Sequence, residues 1–313
     1  MKKKSILITL LPLIALTACG NVKYKLDIQV ASPAGSPAIA LYKYLGDSEH
    51  LEVNTDANNV LAYFSSQDTN QRKDVIIAPT NAGIAAILKG AEYKIAATVT
   101  FGNFFLISTG SDEDKTINEG DKVLAFQQNG VAGKLFTYLY GDKGLDVTFV
   151  NTAADVKNTV LTDKSFDADY VLLAQPVVTA VISAKDGYSV FANLQADYKE
   201  KTGGKEITQA SIFVSDNAQS TLINSFLANV KSDVEKLLKE PESFLEAVKD
   251  MDDTVVISKV TAKKEAVVNL LKNGNALGLG YKAALENKAS IDAFIQTLGL
   301  KETNEEIYYS SNK

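Results

Sequence analysis

Four times along this chain a short apolar run is followed by a corner of small or polar residues and then by an apolar helical stretch. The runs are Leu26–Val30 into Ala31-Ser32-Pro33-Ala34-Gly35-Ser36-Pro37, Asp74–Ile77 into Ala78-Pro79-Thr80-Asn81-Ala82, Val123–Phe126 into Gln127-Gln128-Asn129-Gly130, and Tyr170–Leu173 into Ala174-Gln175-Pro176. Continuous apolar runs such as Val75-Ile76-Ile77-Ala78 fit strands buried on both faces of a sheet. Pro33, Pro37, Pro79 and Pro176, four of the chain's 6 prolines, fall at the corners. Proline is tolerated in a first helical turn, where its missing N–H has no partner to lose. Ser36, Thr80 and Gln175 stand where a cap would accept from free amides, a role Ser and Thr fill better than Gln. A helix that starts just after a parallel strand aims unpaired N–H groups and a positive dipole end past the strand's carboxyl edge. In open α/β sheets that edge is where ligands bind. Any one corner also reads as an ordinary βα turn; the set of four predicts two sheets facing one cleft.

Residues 1–19 read as an address. Lys2, Lys3 and Lys4 make a positive start, and Ile6–Leu16 is an apolar stretch too short for a standard membrane span. It ends in Leu16-Thr17-Ala18-Cys19-Gly20, which resembles the lipobox of bacterial lipoproteins, with Cys19 as the lipidated residue. A plain secretory signal with an incidental cysteine is the alternative. Cys19 is the chain's only cysteine, so a mature chain has neither an internal disulfide nor a thiolate metal site. Residues 20–25 read as a tether, and the lipid would hold a soluble body on the extracytoplasmic face of the cell membrane.

The remaining length suits one large α/β domain or two smaller ones. A net charge of -6 with a single arginine, Arg72, and no basic patch argues against nucleic acid. Helices are expected at Pro37–Leu45, Asn58–Gln67, Thr80–Leu88, Val131–Tyr140, Asn151–Leu161 (capped by Thr152), Pro176–Ile182, Asn217–Leu238, Pro241–Val248, Ala262–Lys272 and Ser290–Leu298, with a turn of helix at Tyr281–Leu285. Ser111–Gly120 reads as a charged, turn-rich insert and Asp197–Thr208 as a polar segment punctuated by Gly203-Gly204. Phe101-Gly102-Asn103 interrupts the alternation. The division expected is a first lobe of residues 26–106 and 210–313, including a helical tail, and a second lobe of 107–209. Crossings at Phe101–Ser108 and Gln209–Val214 would form the hinge.

Lipobox, interleaved α/β lobes, two crossing strands and helical tail together resemble the substrate-binding proteins of bacterial ABC transporters, type II (clamshell) group. The stretches Ala31-Ser32-Pro33-Ala34-Gly35-Ser36-Pro37 and Asp74-Val75-Ile76-Ile77-Ala78-Pro79 are similar to the NitT/TauT branch, whose members carry nitrate, sulfonates, bicarbonate or thiamine-pyrimidine precursors. The resemblance covers most of the mature chain, and its motifs are shapes more than signatures. It implies a two-lobed fold, each lobe a mixed, mostly parallel sheet flanked by helices, joined by a two-strand hinge. It implies a ligand held between the lobes by corner and crossing residues, here Ser32, Gly35, Ser36, Pro79, Thr80, Asn81, Phe101, Asn103, Gln127, Gln128, Asn129 and Gln175. It further implies hinge closure, delivery to a membrane permease with its ATPase, and a monomer with no cofactor.

These candidate residues are neutral, and Arg72 lies ahead of a strand, at the end away from the cleft, so a bidentate guanidinium grip on an oxoanion is not expected. Amide side chains both donate and accept, which suits an uncharged heteroaromatic such as a thiamine-pyrimidine precursor. Phe101, Phe104 and Tyr42 are candidates for a stacking face. An oxoanion held by helix N-termini is the alternative. Asn81 and Gln175 also read as caps, Gln127 and Gln128 as solvated loop, and Phe104 and Phe105 as core. An enzyme resembling the pyrimidine synthase related to the same branch would need a nucleophile with a base, or a metal cluster. The only histidine, His50, reads as a surface residue, and carboxylate pairs such as Asp112/Asp114, Asp142/Asp146 and Asp252/Asp253 fall in turns. A non-transport surface lipoprotein would call for repeats or stalks, and none is present.

Overall fold

The structure, a computed structural model, describes residues 24–66, 71–110 and 116–310. The lipobox with Cys19, the tether up to residue 23 and the start of the charged insert at Ser111 lie outside the described residues.

The first sheet has six strands, β1 (Val30–Pro33), β2 (Leu51–Asn54), β3 (Val75–Pro79), β4 (Tyr93–Thr100), β10 (Ala210–Ser215) and β11 (Leu279–Ala283), in the order β11-β4-β10-β3-β1-β2. The second has five, β5 (Phe104–Thr109), β6 (Lys122–Phe126), β7 (Asp146–Val150), β8 (Tyr170–Ala174) and β9 (Tyr188–Asn193), in the order β7-β6-β8-β5-β9. In each sheet the β1/β2/β3 or β6/β7/β8 group is parallel; β10 runs against β3 and β4, β11 also runs against β4, and β5 runs against β8 and β9. Strands β5 and β10 are the ones the chain enters as it changes sheet, through Phe101–Asn103 and through residues 202–209. The change therefore falls at Phe101–Asn103, ahead of β5, rather than at 106/107.

The parallel strands are followed by helices: α1 (Ser36–Ile39), α2 (Ala57–Ala62), α3 (Thr80–Leu88), α4 (Val131–Tyr140), α5 (Ala153–Thr162) and α6 (Val177–Ile182); α7 (Leu194–Lys201) follows β9. The central strands β3 and β8 are buried along Val75–Ala78 and Tyr170–Leu173, matching their unbroken apolar sequence, whereas the edge strand β7 alternates exposed and half-buried positions. Period-two alternation divides the first sheet's core. Val75 and Ile77 face one cluster with Ile212 and Val214, while Ile76 and Ala78 face another with Phe213.

After β10 the chain becomes helical: α8 (Ser220–Lys239), α9 (Ser243–Val248), α10 (Asp253–Val260), α11 (Lys264–Lys272) and α12 (Lys288–Thr297). On α8, Ile223, Phe226, Leu227, Val230, Val234 and Leu237 form one buried stripe at helical spacing. Helix α12 serves both sheets. Its Ile291 and Ile295 pack in a first-sheet cluster, its Phe294 in the second-sheet cluster. The tail thus spans both bodies instead of only completing the first.

Several local expectations change. The helix expected over Pro37–Leu45 stops at Ile39 and continues as a 3-10 turn over Tyr42–Tyr44. Pro241 precedes α9 rather than occupying its first position. The first part of the Asp197–Thr208 stretch read as a polar segment, residues 197–201, belongs to helix α7, and the turn of helix expected at Tyr281–Leu285 falls largely on strand β11, whose pairing partner β4 supplies the ladder. No helix among the described residues is long and apolar enough to cross a membrane.

Candidate functional site

A cleft of about 990 Å³ lies between the carboxyl ends of the two sheets. Four helix starts face it: α2 through Asp56 and Asn58, α3 through Pro79 and Asn81, α4 through Gly130 and Val131, α5 through Asn151 and Thr152. Two are capped by side chains. Asp56 Oδ1 accepts the Asn58 N–H at 2.9 Å, and Thr152 Oγ1 accepts the Asp155 N–H at 3.1 Å while Asp155 Oδ2 accepts the Thr152 N–H at 2.9 Å. The starts of α3 and α4 carry no side-chain cap, so the first turns of these longer helices keep amide donors and a positive dipole end for the cleft. The Thr80 N–H at the mouth of α3 is taken by the Gln209 carbonyl at 3.1 Å.

The α4 corner is tightly built. Gln127 adopts a left-handed backbone with φ 53°, and the Gly130 N–H closes back on its carbonyl at 2.8 Å. A Cβ placed on Gly133 would stand 2.4 Å from Gln127 O and 2.6 Å from Gln128 Cα. Glycine there lets the loop lie directly on the first turn of the helix. Asp56 is the one carboxylate on the wall, and no Lys, Arg or His lines it among the described residues. The remaining polar lining is amide and hydroxyl.

Of the residues singled out from the sequence, Asn81, Gln127 and Asn129, with Gln128 and Pro79, line this cleft. Ser36, Asn103 and Gln175 form a separate cluster joining the β1–α1 corner, the first crossing and the β8–α6 corner: Asn103 Nδ2 donates to Ser36 Oγ at 3.3 Å and to the Gln175 carbonyl at 3.2 Å. Gln175 Oε1 also accepts from the Thr179 N–H at 3.3 Å and Oγ1 at 3.0 Å, acting as a cap on α6. The Thr80 hydroxyl is fully buried and paired with Ser211 Oγ at 2.7 Å, which also lies 3.2 Å from Thr98 Oγ1. Ser32 is fully buried, its hydroxyl donating to the Pro33 carbonyl at 3.0 Å. The Gly35 N–H donates to the Lys259 carbonyl at 3.0 Å. Lys259 directs its own ammonium to the Leu45 carbonyl at 2.6 Å, and burial holds its pKa below the usual lysine value. The Phe101 ring lies 5.6 Å from the Lys282 ammonium.

The stacking face differs from the expected one. Phe104 is core, 6.2 Å from Phe126, and Tyr42 is core, 6.4 Å from Phe244; each sits on an inward-facing position that the sheet or helix packing claims first. Phe149 at the end of β7 is the ring that lines the cleft. Arg72 pairs with Glu92 at the far end of β3 from the Pro79 corner. The sequence reading missed the β2–α2 and β7–α5 corners, where Thr55, Asp56 and Asn151 line the cleft. Their signal was present as two capping patterns, Asp56-x-Asn58 and Thr152-x-x-Asp155, at the ends of the outer parallel strands. Among the described residues no group of three or more His, Cys, Asp or Glu is placed to hold a metal ion.

No protein-family model matches the chain, and no curated protein matches it by sequence. Solved structures match over nearly its whole length. An ABC transporter protein from Parabacteroides distasonis is 15% identical with a TM-score of 0.67, covering 90% of this chain and 94% of that one. The ligand-binding component of an ABC-type import system from Staphylococcus aureus, with zinc bound, is 8% identical with a TM-score of 0.63, covering 91% and 97%. The periplasmic aliphatic sulphonate binding protein SsuA from Escherichia coli is 12% identical with a TM-score of 0.59, covering 90% and 92%. The chain shares their fold, two mixed sheets flanked by helices.

Proposed function

We propose that this chain is the extracytoplasmic solute-binding component of an ABC-type importer, which captures a small molecule in the cleft and delivers it to a membrane permease with its ATPase. The observation that carries the reading is the convergence of four helix starts, drawn from two separate sheets, on one cleft. Under this reading the sheets are the cores of two lobes, hinged at Phe101–Asn103 and residues 202–209, that close on the solute. Cys19 would carry the lipid anchor and the protein would act as a monomer, without catalysing a reaction. The fold shared with import-system binding proteins supports the same reading.

The cleft wall favours a small uncharged ring compound, of the thiamine-pyrimidine kind. Asn58, Asn81, Gln127, Gln128, Asn129 and Asn151 offer both donors and acceptors, Phe149 offers a ring face, and no cation lines the wall among the described residues. The uncapped starts of α3 and α4 favour a second reading, a small oxoanion such as a sulfonate or nitrate.

Thermal unfolding of the purified protein against pyrimidines, sulfonates, nitrate and riboflavin tests the proposal. One class should raise the unfolding midpoint in proportion to the logarithm of its concentration, and the solute should be recovered unchanged. Consumption of the solute would make the chain an enzyme; binding to a host polymer with no response to any small solute would make it an adhesin.

A further inference from the structure

Asparagine followed by glycine occurs twice in the chain, at Asn129-Gly130 and Asn273-Gly274. In this pairing the glycine's backbone nitrogen stands within reach of the preceding carboxamide, and no Cβ hinders the five-membered ring that would join them. Both asparagines are exposed, and neither carboxamide has a hydrogen-bond partner among the described residues. The two sites are restrained alike. The Gly130 N–H donates to the Gln127 carbonyl at 2.8 Å, and the Gly274 N–H donates to the Lys272 carbonyl at 3.0 Å. Each turn holds a left-handed residue, Gln127 in one and Asn275 in the other, both at φ 53°. What separates the sites is the helix that each one borders. Asn129 precedes Gly130, the N-cap of α4, whose start carries no side-chain cap. Asn273 is the C-cap of α11, and the neighbouring Lys272 is paired with Glu242. The nucleophile of ring closure is the peptide nitrogen after loss of its proton, and the carboxamide oxygen becomes negative as it is attacked. Beside the start of α4 these charges meet free amides and a positive dipole end; beside the end of α11 they meet unpaired carbonyls and a negative one.

We propose that Asn129–Gly130 is a site of spontaneous covalent modification, at which a carboxamide on the cleft wall becomes a carboxylate. The Gly130 nitrogen gives its proton to solvent base and bonds to Asn129 Cγ; the Cγ–Nδ2 bond breaks, and the amide nitrogen leaves as ammonia with a proton from solvent. Water then adds to one carbonyl of the cyclic imide and its C–N bond opens, which gives aspartate or, through the other carbonyl, isoaspartate. The wall thereby gains a second carboxylate beside Asp56. On the solute-binding reading above, ageing of the protein turns the cleft against oxoanions and leaves uncharged solutes the remaining amides.

The test holds the purified protein in mildly alkaline buffer, native and in parallel in urea, and follows both sites by peptide mapping with mass detection of acid and isoaspartate. In the native protein Asn129 should convert at least about threefold faster than Asn273, the difference expected between opposite ends of two helix dipoles. In urea, where the helices are gone, the two rates should converge. Asn129→Ser should abolish the early acidic form seen on isoelectric focusing, and Asn273→Ser should leave it. Equal native rates, a faster Asn273 or an unmodified Asn129 overturns the inference. A ratio that persists in urea overturns it as well, because the difference then belongs to the neighbouring sequence and not to the helix ends. The unaltered protein decides the matter even if a variant does not fold. No solute enters the measurement, so its failure leaves the solute-binding reading standing, and a silent solute screen leaves this inference standing.

Discussion

Asp47 shows how much a single buried carboxylate can organise. It is 1% exposed, accepts the Leu26 N–H at 2.7 Å and lies 3.1 Å from His50 Nδ1, pinning the first described segment against the turn before β2. Burial alone would raise its pKa, but the bonds from Leu26 and His50 together outweigh it and hold the group below its usual value. The native protein therefore binds fewer protons at this site than the unfolded chain does between the two pKa values. The stabilisation is complete above the unfolded value of about 3.9 and is lost as pH falls through the lower folded value. Asp47→Asn should cost about 1–3 kcal/mol near neutral pH, and its deficit relative to the parent should shrink in urea titrations carried below that window. The histidine read from sequence as a bare surface residue is thus a partner in this anchor. Gly133 makes the other residue-scale case. Because its Cβ would meet backbone at 2.4 Å, Gly133→Ala should cost about 1–3 kcal/mol by overpacking and displace Gln127–Asn129 from the cleft wall, which chemical-denaturant unfolding and amide exchange over that loop would register.

At the scale of elements, what could be read from the sequence follows burial. Strands β3 and β8 were legible because burial on both faces leaves an unbroken apolar run. Helix α5 was legible because Thr152 and Asp155 form a capping box. Helix α7 was not, since only Leu194 and Tyr198 on it are buried. Nor was α10, where exposed Val255 and Ile257 blur the stripe made by Val256 and Val260. Strand β11 carries Gly280 and owes its form to pairing with β4, a long-range contact with no local signal. The cleft divided the same way. The corners marked by proline and amides were found, while those whose polar residues looked like plain caps were passed over. Helix α12 adds an element-scale prediction. Ile291 packs with the first sheet and Phe294 with the second, so the helix couples them. Ile291→Ala should cost about 2–5 kcal/mol and Phe294→Ala about 3–5 kcal/mol. Both should lower one shared calorimetric transition; two separate transitions, each moved by one variant, would show that the helix does not couple the sheets.

For the whole molecule, the account depends on two sheets that present their helix mouths to a common gap and move together around a solute. Helices α3 and α5 stand on opposite sides of that gap, one from each sheet, and Leu88 and Asn158 on them are exposed. Spin labels at Leu88→Cys and Asn158→Cys, with Cys19 replaced by Ser, report the separation directly through their dipolar coupling. The account predicts a distance distribution that shifts shorter and narrows when the solute that stabilises the protein is added to saturation. A distribution unmoved by a saturating solute would contradict it.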